Sequence, residues 1–237
     1  MKYRLLSFCM AVLLLISMIS VPRIEAANST ETFKDSADTK IVKLLEALGL
    51  MEIDSETGFF WDEMPVKRSE LAKIICKMFN ISETKDASPH FTDVSDYDRA
   101  YIETAIRNGY MSGYDNEKFG PDDYVTNIQL IKTFVTALGG DAAAQSQGGY
   151  PGGYITIGNM LGLLKGKAVA NENISRRIDV ANIIYTALHA DVLEIAGSVG
   201  NNINYKTVEG YTFLTEKRNI YRVKGIISQN EATSLNR

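Results

Sequence analysis

Three stretches of this chain share one layout, and that internal repetition constrains the fold more than any other feature. Each reads as a short helix, a glycine step, a loop and a second helix. The glycine steps are Leu48-Gly49-Leu50-Met51, Asn108-Gly109-Tyr110-Met111 and Leu161-Gly162-Leu163-Leu164. Glycine directly after a helical pattern stops it, because it takes the left-handed cap conformation at little cost. About two turns before each glycine sit apolar or aromatic pairs: Ile41 and Val42, Tyr101 and Ile102, Tyr154 and Ile155. The second helices superpose as ELAKIICKMF from Glu70, QLIKTFVTAL from Gln129 and DVANIIYTAL from Asp179. Leu71, Ile74, Ile75 and Met78 form the stripe of the first. Leu130, Phe134 and Val135 form that of the second, and Val180, Ile183, Ile184 and Leu188 that of the third. One unit of about 50–60 residues cannot bury such a stripe alone, so the copies must pack on one another. The expected fold class is therefore mainly α, three helix-loop-helix repeats packed together with a short C-terminal β segment.

The connectors separate these units. Ser82 to Pro89 is polar, and Ala142 to Gly153 is small and Gly-rich and reads as loop, with Pro151 marking entry to the third unit. Beyond about Asn201 the stretch TVEGYTFLTEKRNIYRVKGIIS alternates polar and apolar residues and is rich in β-branched and aromatic side chains, which suggests two or three strands. Strands of that number do not make a stable domain unaided. They either pack on the helical part or begin a larger second domain.

At the other end, Lys2 and Arg4 precede an apolar run from Leu5 to about Val21, and Ile24-Glu25-Ala26 offers a small-residue cleavage signal. Residues 1–26 read as a secretory signal peptide, with an uncleaved anchor as the alternative. Its removal takes away Lys2, Arg4, Arg23 and Glu25, leaving the mature part more acidic than the formal −4 of the whole chain. Nucleic acid and anionic membrane faces are poor partners for such a chain. Cys76 is then the remaining thiol, set in an apolar helical run, so core packing rather than a disulfide must hold the exported fold.

The middle unit carries a recognisable pattern: Phe91-Thr92-Asp93-Val94, then Gly109, Gly113-Tyr114 and Phe119-Gly120-Pro121. Residues 91–139 resemble an S-layer homology repeat. Residues 38–80 and 149–191 resemble it more weakly, without the Phe-x-Asp-Val opening. They keep Val66-Lys67-Arg68-Ser69-Glu70 and Ser175-Arg176-Arg177-Ile178-Asp179 at the helix start. The stretch GGYPGGYITIGNMLGLLKG is similar to the third repeat of a variant group from Gram-positive anaerobes, and residues 201–237 are similar to the segment C-terminal to the module in that group. The resemblance implies a compact helical module with pseudo-threefold symmetry. Grooves between its repeats would bind an anionic, often pyruvylated, secondary cell-wall polysaccharide. The chain would then sit at the cell wall or cell surface.

Arg68 and Arg177 are the first candidates for that ligand, each in the first turn of its helix. A cation there opposes the helix dipole, whereas the free N–H groups at the same end favour an anion. A guanidinium beside them can clamp a carboxylate in bidentate fashion. The alternative is that each Arg is solvated or pairs with a neighbouring acid. Asn127 takes the equivalent place in the middle unit, keeping hydrogen bonding without charge, so the grooves are expected to be unequal. Gly113 and Tyr114 are candidates for close backbone approach and for stacking on a sugar face, against plain turn and packing roles. Glu70, Gln129 and Asp179 are read as helix-start support, with Thr126-x-x-Gln129 as a capping box. Asp93 is read as a cap or turn residue. Trp61 is expected in the core, with a sugar platform as the alternative.

Catalysis finds little to use. His90 and His189 lack metal-ligand spacing, no nucleophile elbow or phosphate loop occurs, and the acids at 115–123 lack the EF-hand order. The expectation is no enzyme, no cofactor and no metal. The leading function is non-covalent anchoring to the cell wall. The alternatives are a structural surface-layer subunit, or the anchoring piece of a larger surface enzyme or adhesin.

Overall fold

A computed structural model describes residues 39–81, 91–164, 172–199 and 202–214. The signal segment 1–26, the connector from Ser82 to Pro89 and the tail beyond 214 lie outside the described residues. Among these residues are seven α-helices and two strands. The helices are α1 Thr39–Ala47, α2 Arg68–Phe79, α3 Asp96–Arg107, α4 Asn127–Ala137, α5 Asp141–Ser146, α6 Gly152–Met160 and α7 Arg177–His189. The strands are β1 Asp191–Val199 and β2 Asn202–Thr212, paired antiparallel.

The glycine steps end α1, α3 and α6 in one way. Gly49, Gly109 and Gly162 take φ of 66°, 74° and 74°. Each N–H bonds the carbonyl three residues back, and the next N–H bonds the carbonyl five back: Leu50 to Leu45, Tyr110 to Ala105, Leu163 to Gly158. This is the Schellman stop, which satisfies the otherwise orphaned carbonyls and turns the chain off the helix axis.

The second helices begin together. Val66 N–H donates to Ser175 O (3.2 Å), Ser175 N–H to Val125 O (2.8 Å), and Val125 N–H to Val66 O (3.0 Å), closing a ring of three bonds. Just outside it, Arg68 N–H donates to Asp123 O, Asn127 N–H to Asn173 O, and Arg177 N–H to Met64 O. First-turn N–H groups that no helix can satisfy internally are thus met by the segment before a neighbouring helix. Helix packing follows the same cyclic order: α2 on α3, α4 on α6, and α7 on α1. Each of the three second helices thus packs against a first helix from another stretch of the chain. Val42, Leu45, Leu71, Ile75, Met78, Ile102, Ile131, Phe134, Leu163, Val180, Ile184 and Leu188 are all buried in one core.

Two expectations need correction. The connector from Ala142 to Gly153 is not all loop, since α5 occupies its first part. The run Ala142-Ala143-Ala144 has the highest helix propensity available, and Ala143 and Ala144 are buried. The β segment also begins earlier, at Asp191, because DVLEIAGSV pairs with the alternating stretch that the sequence pattern revealed. Phe213, just past β2, is 2% exposed and meets Phe79 edge-on at 4.7 Å, so this end rests on the helical core.

Candidate functional site

Two grooves open beside the ring, and each is built around an arginine from the start of a second helix. In the first, of about 260 Å³, Arg68 reaches from α2 to the loop after α3. Its Nε donates to Phe119 O (3.1 Å) and its Nη2 to Ser112 O (2.7 Å). Its guanidinium carbon lies 4.5 Å from the Phe119 ring centroid and 4.7 Å from that of Tyr114. Arg68 is only 6% exposed, and burial lowers its proton affinity. Among the described residues no carboxylate oxygen comes within ion-pair distance of it. The guanidinium is held between two carbonyls and two rings; Asp123 and Asp93 act on it only through space, so its remaining N–H groups are left for a ligand anion.

The second groove, of about 570 Å³, repeats the frame around Arg177. Nε donates to Phe60 O (2.8 Å) and Nη2 to Glu52 O (2.8 Å), and the guanidinium carbon sits 4.8 Å from the Phe60 ring. Phe60 and Phe119 both lie six residues before the ring valine, and Glu52 and Ser112 both lie three after the glycine step, so the contacts correspond position by position. One difference matters. Arg177 Nη1 donates to Glu70 Oε1 at 2.7 Å, whereas the counterpart of Glu70 beside Arg68 is the uncharged Gln129.

The helix-start residues divide accordingly. Gln129 Oε1 accepts from Thr126 N–H while Thr126 Oγ1 accepts from Gln129 N–H, a complete capping box. Asp179 Oδ2 accepts from Arg176 N–H and from Arg176 Nε, and Glu63 completes the neutralisation of that guanidinium. The two carboxylates raise the proton affinity of Arg176 further. Arg177 is thereby left to its groove. Glu70 turns away from its own helix start to Arg177. Asn127 Oδ1 accepts from Ser175 Oγ (2.8 Å) and so joins the ring. The residues that correspond by offset to Ser112 and Phe119 beside Asn127, Lys165 and Val169, lie outside the described residues.

Gly113 and Tyr114 both line the Arg68 groove. A β-carbon at Gly113 would lie 2.9 Å from the carbonyl oxygens of Asp115 and Lys118 and 2.6 Å from the Phe91 ring, so only glycine fits. Tyr114 is 57% exposed, with one ring face toward Arg68. Burial raises its hydroxyl pKa, partly opposed by Arg68. Asp93 fixes the loop from beneath, its two oxygens accepting from Phe119 N–H (3.0 Å) and Gly120 N–H (2.9 Å). Trp61 departs from expectation: it is 41% exposed at the rim of the Arg177 groove.

Lys73 and Lys132 were not singled out in the sequence. They sit three residues after Glu70 and Gln129 and line the second and first groove respectively. Their shared offset in the repeat was the available signal. Among the described residues no group of three or more acid, His or Cys side chains could hold a metal ion, and no helix is long and apolar enough to cross a membrane.

The S-layer homology domain family matches residues 90–130, the stretch running from the Phe-x-Asp-Val opening to the first turns of α4. The chain is 26% identical over 175 residues to the Middle cell wall protein of Brevibacillus brevis, covering 72% of this chain. It is 26% identical over 181 residues to the Surface layer protein of Brevibacillus choshinensis, covering 73%. The chain spans 16% of the length of each relative. The matched domain and these relatives mark a secreted, cell-wall-associated surface protein.

Proposed function

We propose that this chain anchors non-covalently to the bacterial cell wall by holding an anionic secondary cell-wall polysaccharide, with a carboxylate of the glycan, such as a pyruvate ketal, on Arg68. The observation that carries this reading is the buried Arg68 guanidinium without a carboxylate partner among the described residues, in a groove that also presents Lys132, Tyr114 and Tyr150. Lys132 Nζ lies 5.9 Å from the Tyr150 ring centroid, so a sugar entering there meets two cations and aromatic faces.

The architecture behind it is read as three S-layer homology repeats, 38–80, 91–139 and 149–191, around a pseudo-threefold axis. The closed ring of Val66, Val125 and Ser175 and the cyclic packing of helices support that reading. Residues 1–26 are read as the export signal, and the strands β1 and β2 follow the third unit. Of the three helix-start positions, Arg68 takes the acid, Arg177 is compensated by Glu70, and Asn127 serves the ring.

The test is co-sedimentation of the protein with purified wall polysaccharide before and after mild-acid removal of ketal-linked pyruvate. Binding that falls sharply on removal supports the proposal, and binding indifferent to both polymers removes it. A second reading, assembly into a surface layer, is favoured by the Brevibacillus choshinensis relative. Analytical ultracentrifugation separates the two, since ordered assemblies without polymer favour the second.

A further inference from the structure

Trp61 is the single tryptophan of the chain, and its placement is unusual. It takes φ 61°, a left-handed conformation that bulky side chains rarely adopt. The corresponding position in the middle unit is Gly120, at φ 72°. A tryptophan thus stands where the backbone asks for glycine, and 41% of it remains exposed. Phe59 braces the indole edge-on at 5.0 Å, and Nε1 points to Asp54 Oδ2 at 3.4 Å. Beside it at the groove rim are Met64, 52% exposed, and Pro65.

The charges here differ from those of the other groove. Glu70 occupies Arg177, and Glu52 pairs with Lys77 at 3.4 Å. Asp54, Glu56 and Lys73 also line this groove. An acidic glycan residue gains no uncompensated guanidinium in this groove and meets the carboxylates of Glu52, Asp54, Glu56 and Glu70 along it. An uncharged sugar loses nothing by those carboxylates, which accept hydrogen bonds from its hydroxyls, while its apolar face stacks on the indole.

We propose that the Trp61 groove is a second, chemically distinct subsite that takes a neutral sugar residue of the wall polymer. It rests on the reading above only in that the ligand is the same polymer. The two grooves then recognise different residues, an acidic one at Arg68 and a neutral one at Trp61, and their joint occupancy raises avidity.

Because Trp61 is the single tryptophan, its emission reports on this groove. The full chain is titrated with purified wall polysaccharide whose carboxyl groups have been reduced to alcohols, and with the untreated polymer. A saturable change in tryptophan emission with the reduced polymer is expected. Trp61→Gly, which installs the residue found at the equivalent position, is expected to weaken calorimetric binding of the reduced polymer at least tenfold with circular dichroism unchanged. No emission change with either polymer, or a change with the untreated one alone, overturns the proposal. Failure at Trp61 with intact calorimetric binding of untreated polymer leaves the Arg68 reading standing. Equal binding of both polymers, with emission changing, removes the Arg68 reading and leaves this one.

Discussion

Replacing Glu70 by Gln gives the Arg177 groove the residue that Gln129 supplies to the other. The pair it breaks is short, 2.7 Å, but Glu70 is 35% exposed and Arg177 16%. Solvent screening at that exposure limits the stability loss to about 0.5–1 kcal/mol. Arg177 keeps its bonds to Phe60 O and Glu52 O, so its guanidinium stays in place. The released Nη1 can then donate to a ligand carboxylate in a charge-assisted bond of about 1.5–3 kcal/mol, equivalent to roughly 10- to 150-fold in affinity. Calorimetric titration of Glu70→Gln with the isolated acidic monosaccharide of the wall polymer should therefore show two binding sites per chain where the wild type shows one. An unchanged stoichiometry, with the variant folded, would refute the idea that Glu70 masks a latent anion site.

Asp93→Ala should lower stability by about 1–3 kcal/mol in urea denaturation, because the N–H groups of Phe119 and Gly120 lose their acceptors. Burial pushes the Asp93 carboxyl up, yet those N–H groups outweigh it and hold it below the ordinary value. Its contribution to stability is therefore complete above about pH 4 and disappears as pH falls through the lowered value, so the difference between wild type and variant should vanish in strong acid. Gly113→Ala should destabilise by about 1–3 kcal/mol in thermal unfolding, since its β-carbon meets backbone oxygens at 2.9 Å that cannot withdraw as a flexible side chain would.

The parts legible in the sequence were those fixed by local periodicity. Leu71, Ile75 and Met78 mark α2, and Val180, Ile184 and Leu188 mark α7, through spacing alone. Gly49, Gly109 and Gly162 announced the helix stops because few other residues tolerate that backbone. The ring of Val66, Val125 and Ser175 was not legible, since backbone bonds between distant segments leave little trace in side-chain pattern. Arg68 and Arg177 could be singled out as cations at helix starts, but not their different partners. The sequence places Glu70 and Asp179 alike, and only the fold sends Glu70 to Arg177 while Asp179 stays with Arg176. Trp61 misled because a large aromatic is usually buried, and the left-handed backbone that turns it outward has no sequence signature when the residue is not glycine.

The most direct measurement is calorimetry of Arg68→Lys and Arg68→Ala against wild type with the acidic wall polysaccharide, both variants checked for fold by circular dichroism. Lysine keeps the charge but not the planar fork, so weakened binding is expected for it and loss of at least about tenfold for alanine. A folded Arg68→Ala protein that binds the acidic polymer as tightly as wild type would contradict the central claim.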